Sequence, residues 1–174
     1  MEPILFISFI IVLLALFFIY KKNHRKRAEE VRIENIAAEK AILEEFCIEL
    51  TPQELFKLRK DLKTKPKHSS YRNGFNFSGI YILHNVTKDK YYVGQSVNVM
   101  NRVNTHFKGK AAGNKGVYKD FKHGDEWNIK MVRLEDTRFL NLNDMEKYAI
   151  QLYEGFTKGY NKTRGNKSWI KNCQ

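Results

Sequence analysis

The sequence has only two cysteines, Cys47 and Cys173, among its 174 residues. They form no Cys-x-x-Cys pair and provide no disulfide framework. Isolated cysteines fit a reducing cytosol, and they argue against a structural zinc site. The chain also lacks internal repeats, zinc-finger spacing and a helix-turn-helix segment. We therefore predict no separate module for reading a nucleotide sequence.

Acidic residues are scarce relative to basic ones: 19 Asp and Glu stand against 31 Lys and Arg, which gives a net charge of +12. Residues 66–174 carry 19 Lys and Arg against 9 Asp and Glu, so most of the excess lies in the C-terminal part. A basic domain of this kind favours a polyanionic partner, either nucleic acid or an anionic membrane surface. Solubility alone would also account for the charge.

Polar side chains are almost absent from the stretch between Pro3 and Tyr20, where only Ser8 and Tyr20 carry hydroxyl groups. A helix of this length covers roughly 27 Å, close to the thickness of the hydrocarbon core of a bilayer. Glu2 precedes the stretch and no A-x-A cleavage pattern follows it, which favours a retained anchor over a cleaved signal peptide. We predict a transmembrane anchor over residues 1–21 that contacts membrane lipid through residues 3–20.

A basic cluster follows the apolar stretch and extends to residue 27; it consists of Lys21, Lys22, Arg25, Lys26 and Arg27. Positive residues beside a membrane span stay on the cytoplasmic side, where anionic lipids attract them. This predicts a single-pass protein of the cell membrane, with its N-terminus outside and everything after residue 21 in the cytoplasm. The same cluster could instead contact nucleic acid.

Residues 26–50 are rich in Ala, Glu, Lys and Leu and contain no Gly or Pro, so they are predicted to be helical. Their apolar stripe consists of Ile36, Leu43, Phe46 and Leu50. The stripe indicates either a coiled-coil homo-oligomer or a helix that packs on the domain or lies near the membrane. Thr51-Pro52-Gln53-Glu54 predicts a helix start with a capping box. We predict a helical spacer over 26–65 and a linker over 66–76.

The pattern changes at Phe77. Two short apolar stretches, Ser78–His84 and Tyr91–Gln95, flank a polar turn, which is typical of a β-hairpin. A third strand is predicted over Trp127–Leu134. Helices are predicted over 97–107 with Ser96 as the cap, 117–121 and 141–153. This order predicts a small α/β (α+β) domain over 77–174, with a three-stranded antiparallel sheet flanked by helices.

The triplets GIY at 79–81 and YVG at 92–94 resemble the motif that names the GIY-YIG nuclease family, with Val93 in place of the usual Ile. The resemblance extends over about residues 77–165. The side chains at matching spacing are Tyr81, Tyr92, Arg102, His106, Glu146 and Asn161. This resemblance implies a divalent-metal-dependent endonuclease that hydrolyses DNA and leaves a 5′-phosphate and a 3′-hydroxyl. The lack of a DNA-reading module favours weak sequence preference.

Three of these side chains are assigned to the attack on the phosphate. Hydrolysis of a phosphodiester needs an attacking water, a group that takes its proton and a cation that stabilises the transition state. Arg102 and His106 are four residues apart on a predicted helix, so they face the same way. The resemblance implies that Tyr81 activates or orients the water, with His106 assisting proton transfer. Arg102 would bind the scissile phosphate.

The other three side chains would hold the metal and support the site. The resemblance implies that Glu146 holds one divalent ion, Mg²⁺ or Mn²⁺, which otherwise keeps waters and phosphate oxygens. Tyr92 and Asn161 are implied to support and position the reacting groups. Each residue alone has an ordinary structural interpretation, since strand tyrosines usually pack in a core and Asn161 beside Gly159 suits a turn.

Further basic residues are candidates for contacts with the phosphate backbone of DNA. They are Lys108, Lys110, Lys115, Lys119, Lys162 and Arg164. Alternatively, these side chains belong to exposed loops and contact only water. An anchor would confine cleavage to DNA near the membrane, and this favours incoming foreign DNA at the cytoplasmic face as the substrate. The alternative function is a catalytically inactive, membrane-anchored module that binds nucleic acid.

Overall fold

A computed structural model describes residues 3–45, 47–65, 75 and 77–166 of the chain. Within the first of these ranges, side chains are not described for residues 3–12, 15, 32, 35, 36, 39 and 42. The chain divides into two compact units, 1–41 and 42–174. Helix α1 has the bounds Pro3–Glu45.

The predicted membrane anchor falls on the first part of α1. No helix in the described part of the chain is long and apolar enough to cross a membrane. Most side chains of the predicted span, residues 3–20, lie outside the described residues. The anchor stays a prediction from the sequence.

The second unit is built on a four-stranded antiparallel sheet, with one strand more than predicted. In chain order the strands are β1 (Cys47–Leu50), β2 (Gly79–Asn85), β3 (Lys90–Ser96) and β4 (Trp127–Arg133). They lie in the order β1-β4-β2-β3. The hairpin of β2 and β3 has the predicted position, with Gly79 opposite Ser96 and Asn85 opposite Lys90. The α+β fold is confirmed, and the count of three strands was wrong.

The additional strand comes from the segment that was predicted as a continuous helical spacer. α1 ends at Glu45, and residues 47–50 pair with residues 132–129 of β4. The composition of this segment favours a helix, but pairing with a strand far along the chain overrides that local preference. The prediction of helix up to Leu50 was therefore wrong.

This strand also interrupts the apolar stripe that indicated a coiled coil. Leu43 lies on α1 and is fully buried in the core of the second unit. Leu50 lies on β1 and packs against the opposite face of the sheet. The side chains of Ile36 and Phe46 lie outside the described residues. The structure thus gives no continuous helical seam for a homo-oligomer through residues 26–50.

Helix α2 (Pro52–Thr64) begins where the sequence predicts. Oγ1 of Thr51 accepts a hydrogen bond from the backbone N–H of Glu54, and the Glu54 carboxylate accepts one from the backbone N–H of Thr51. Leu55 and Leu62 of this helix are 0% and 6% exposed. Segments before the predicted domain start at residue 77 therefore contribute to its core.

The alternation of side chains along β2 divides this core into two layers. Tyr81 and Leu83 face one layer, and Ile80 and Ile82 face the other. The first layer is covered by α2, α3 (Val99–Phe107) and α4 (Lys115–Lys122). The second is covered by α5 (Leu142–Leu152) and the end of α1. β3 is the strand at one edge of the sheet, between the two core layers.

Helix α3 begins two residues later than predicted. Oδ1 of Asn98 accepts a hydrogen bond from the backbone N–H of Asn101, so Asn98 is the N-cap and Val99 the first helical residue. Ser96 instead accepts a hydrogen bond from the backbone N–H of Asn98. Val97, predicted as the first apolar residue of the helix, is 74% exposed. The prediction of Ser96 as the cap was wrong.

Candidate active site

Tyr81 and His106 form a buried hydrogen-bonded pair between the sheet and α3. Oη of Tyr81 lies 2.9 Å from Nε2 of His106. The two residues are 1% and 0% exposed. Val103 and Phe107 are buried on the same helix, so the apolar packing of α3 brings His106 to the sheet. The predicted proximity of strand tyrosine and helix histidine is present in the structure.

The backbone of Asn114 determines which nitrogen of His106 carries a hydrogen. The N–H of Asn114 donates to Nδ1 of His106 at 2.8 Å. A neutral imidazole carries a single hydrogen, which must then be on Nε2 and is donated to Oη of Tyr81. Burial, together with the positive charge of Arg102, lowers the pKa of His106 to about 3. In the resting site His106 is a neutral donor, and it could accept a proton only by breaking its bond to Asn114.

Tyr92 and Arg102 complete the cluster around this pair. The ring centres of Tyr81 and Tyr92 are 6.1 Å apart, and those of Tyr92 and His106 are 4.9 Å apart. Burial raises the pKa of both tyrosines, and Arg102 opposes this by charge and hydrogen bonding. Both phenols are therefore neutral in the resting site, with a guanidinium available to stabilise either phenolate.

Two glycines of the motif are required by the geometry of this cluster. Gly94 lies opposite Tyr81 in the hairpin. A Cβ atom at position 94 would overlap Oη of Tyr81 and lie 2.5 Å from its Cζ. A Cβ atom at Gly79 would overlap the carbonyl oxygen of Val132 on β4. Gly79 thus permits the pairing of two strands, and Gly94 permits the position of the Tyr81 phenol.

Glu146 enters the cleft from α5, at the end of β3. Its carboxylate accepts hydrogen bonds from Nε2 of Gln95 at 2.9 Å and from the backbone N–H groups of Gln95 and Asn166. The Gln95 amide also donates to Oδ1 of Asn143 at 2.7 Å. Burial raises the pKa of Glu146, while these hydrogen bonds and the charge of Arg102 oppose the rise. The charge of Arg102 acts on Glu146, on His106 and on both tyrosines, so the five side chains form one cluster beside β3.

Asn161 acts through the backbone of the edge strand. Its Nδ2 donates to the carbonyl oxygen of Val93 at 2.7 Å, and its Oδ1 accepts from the N–H of Val93 at 2.9 Å. The backbone N–H of the preceding Tyr160 donates to the carbonyl oxygen of Tyr91 at 2.8 Å. The Asn161 side chain thereby makes the two backbone hydrogen bonds that a neighbouring strand would otherwise make. Its effect on the site is the positioning of β3, which carries Tyr92 and Gly94.

The oxygen atoms around Glu146 fit a magnesium ion better than a zinc ion. Residues 47–65 and 77–166 contain no group of three or more His, Cys, Asp or Glu side chains that could hold a metal. Mg²⁺ needs no such cage, because it keeps several waters and binds phosphate oxygens through one or two carboxylates. A cation beside the buried Glu146 would also favour its ionised form. The Glu146 carboxylate and the Asn143 amide oxygen therefore fit the predicted ion.

The six basic side chains predicted to contact DNA are all exposed. Lys108 and Lys110 follow α3, Lys115 and Lys119 lie on α4, and Lys162 and Arg164 follow α5. Nζ of Lys108 lies 4.4 Å from the ring centre of Phe56 on α2. None of the six forms an ion pair with a carboxylate among the residues that are described. They remain available to phosphate groups.

The sequence interpretation missed three amide residues that organise the site. Gln95 directly follows the YVG triplet and ends the predicted strand, and Asn143 lies one helical turn before Glu146, so both carried a detectable signal. Asn114 carried none, because it acts on His106 through its backbone N–H. Nearly every residue type has a backbone N–H, so a contact of this kind depends on the path of the chain and cannot be recognised from the residue type.

A comparison with protein families agrees with this geometry. Residues 77–161 match the model of the GIY-YIG catalytic domain. No curated protein and no solved structure matches the chain. The matched segment contains β2, β3, β4 and the helices α3 to α5, together with all six motif side chains. β1 and α2 lie outside it. The match implies a nuclease domain.

Proposed function

We propose that the GIY-YIG domain makes this chain a divalent-metal-dependent endonuclease that hydrolyses phosphodiester bonds of DNA. The observation that carries the proposal is the convergence of Tyr81, Arg102 and Glu146, from a strand and two different helices, beside β3: Tyr81 lies opposite Gly94 and is hydrogen-bonded to Arg102, and Glu146 accepts a hydrogen bond from Gln95. A phenol, a guanidinium and a carboxylate can supply the proton transfer, the charge stabilisation and the metal ligand that this hydrolysis uses. The family match supports the same reaction class.

In this proposal Tyr81 handles the attacking water. Its Oη accepts the Nε2–H of His106 and is also hydrogen-bonded to Tyr92 and Arg102. When hydroxide or a buffer base from solvent takes the phenol proton, the phenolate left behind is stabilised by the His106 hydrogen bond and by the charge of Arg102. That stabilisation favours the form of Tyr81 that can take a proton from water. His106 therefore tunes Tyr81 by donating to it, without becoming charged.

Arg102 and Glu146 act on the phosphate side of the cleft. The guanidinium of Arg102 binds phosphate oxygens and stabilises the negative charge that grows on them during attack. Glu146, oriented by Gln95, would hold the divalent ion together with waters and phosphate oxygens. When bound, the ion supplies Lewis-acid stabilisation of the phosphate and of the leaving oxygen. The exposed lysines of α4 and of the loop before it would bind the flanking backbone.

The test is nicking of supercoiled plasmid by the purified full-length chain with Mg²⁺, with Mn²⁺ and with EDTA. We expect metal-dependent nicking that Glu146→Gln lowers at least about 100-fold, since several kcal/mol of transition-state stabilisation depend on the ion. Glu135→Gln, which changes an exposed carboxylate outside the cleft, should retain full activity. DNA binding without metal-dependent nicking would contradict the enzyme and favour an inactive binding module.

We further propose that residues 3–20 anchor the protein in the cell membrane, with the nuclease domain in the cytoplasm. The support is the apolar sequence of this stretch and the basic cluster that follows it. Such an anchor raises the local concentration of nuclease for DNA entering at the membrane. Incoming foreign DNA is the substrate class that this arrangement favours.

Removal of residues 1–27 tests the anchor and its role together. The full-length chain should sediment with membranes and resist extraction by alkaline carbonate, whereas the shortened chain should remain in the supernatant. Cells with the full-length chain should also restrict incoming phage or plasmid DNA more strongly. Equal membrane content of the two chains would contradict the anchor. Equal restriction at matched protein levels would contradict the role of tethering.

A further inference from the structure

Arg59 lies on α2, a helix outside the segment matched by the family. A role for Arg59 in binding the DNA backbone rests on the proposed function and adds a second phosphate contact to it. Nη1 of Arg59 donates to Oδ1 of Asn101 at 2.6 Å. Asn101 is the residue before Arg102 on α3, so this bond holds a second guanidinium beside the helix that carries Arg102.

Arg59 is a partly desolvated cation without a carboxylate partner among the described residues. Its polar partner there is the neutral amide of Asn101. By contrast, the exposed Lys88 has two carboxylate partners: its Nζ lies 2.9 Å from Asp120 and 2.9 Å from Asp125. Withdrawing a positive charge from water costs free energy, and an anion offsets this cost. Arg59 is therefore set to accept an anionic ligand.

The packing of α2 against α3 gives this cation a fixed place beside the cleft. Phe56 contacts Lys108, which directly follows the C-terminal end of α3. Arg59 contacts Asn101, which lies in the first turn of α3. Two contacts at opposite ends of α3 fix the orientation of α2 along it. Lys108 and Arg59 thus border the outer face of α3, while Arg102 and His106 on its inner face reach the tyrosines.

We propose that Arg59 binds a DNA phosphate that neighbours the one bound by Arg102, so that α2 and α3 form a continuous phosphate track into the cleft. The bond to Asn101 fixes the guanidinium plane through Nη1 and leaves its remaining N–H donors for phosphate oxygens. A phosphodiester of duplex DNA is the occupant with the matching charge. A segment outside the family match thereby extends the substrate site.

The test measures binding of a fluorescent DNA duplex to the full-length chain with Ca²⁺ in place of Mg²⁺, over about 50 to 200 mM salt. Arg59→Gln should weaken binding about 10-fold and reduce the slope of log K against log salt by about 0.9, since one phosphate contact is lost. Its melting temperature should remain that of the wild type. Arg59→Lys should retain the slope. Lys57→Gln is the matched control, because it removes an exposed charge from the same helix.

A structural role for Arg59 would give a different result. If the residue only attaches α2 to α3, Arg59→Gln and Asn101→Ala lower the melting temperature alike and leave the salt slope unchanged, which overturns the proposal. The proposal is also overturned if Arg59→Gln and Lys57→Gln give the same salt slope while the wild type nicks plasmid. In that case the proposed nuclease function is retained and only the Arg59 contact is refuted. A changed slope in a chain that never nicks supports the phosphate contact and refutes the enzyme. Absence of DNA binding refutes both.

Discussion

Gly94→Ala is expected to lower plasmid nicking about 100-fold or more while the domain remains folded. The added methyl group would overlap Oη of Tyr81, which is fixed between the sheet and His106 and cannot swing away without losing its hydrogen bond. A displacement of about 1 Å at a reacting group is sufficient for a loss of this size. Single-turnover nicking at saturating Mg²⁺ measures the effect, with circular dichroism as the check on folding.

A double-mutant comparison separates this mechanism from general damage. If Gly94→Ala acts by moving Tyr81, then adding it to Tyr81→Phe should cost little more activity, because the two changes remove the same interaction. Gly116→Ala on α4 is the control, since its methyl group would meet only ring atoms of Tyr160 and the Asn114 side chain at 3.1 Å or more. Additive losses for Gly94→Ala and Tyr81→Phe would contradict the assignment.

A fragment of residues 66–174 is expected to fail to fold cooperatively, whereas residues 42–174 should fold. The shorter fragment lacks β1, which pairs with β4, and α2, which contributes the buried Leu55 and Leu62 to the core. Truncation of a single buried leucine costs about 2–5 kcal/mol. A domain of this size has a total stability of about 5–15 kcal/mol. Loss of both leucines and of a strand therefore removes most or all of it.

Thermal and urea unfolding of the two fragments measure this difference. Residues 42–174 should give one cooperative transition, and residues 66–174 should give a broad transition with exposed apolar surface detected by dye binding. Leu55→Ala in the longer fragment provides the intermediate case, with a loss of about 2–5 kcal/mol. Two fragments with the same melting temperature would show that β1 and α2 are dispensable.

The motif side chains could be predicted from the sequence because their positions follow from local structure. The hairpin places Tyr81 and Tyr92 on adjacent strands, and a four-residue spacing places Arg102 and His106 on one side of α3. The Thr51 cap of α2 was equally local. These signals lie within one helix or one hairpin, and the structure agrees with these three, although the equally local prediction of Ser96 as a cap was wrong.

Features that depend on contacts far along the chain could not be predicted in this way. The strand β1 follows a helical composition and exists because β4 offers it an edge. Asn161 was assigned to the site from the family resemblance, but its amide binds Val93, and nothing in the tail sequence indicates that partner. Asn114 likewise acquires its role only when the loop after α3 folds back onto His106.

The cover over the outer edge of β3 has a consequence for how copies of this chain meet. An uncovered edge strand presents N–H and C=O groups on which another copy can add its own strand, the first step of aggregation. Here the backbone N–H of Tyr160 donates to the carbonyl oxygen of Tyr91, and the side-chain amide of Asn161 bonds to both the N–H and the carbonyl oxygen of Val93. The Glu146 carboxylate accepts from the N–H of Gln95. The groups that hold β3 in place also close this edge of the sheet to strand addition, so Asn161→Ala should increase self-association as well as lower activity.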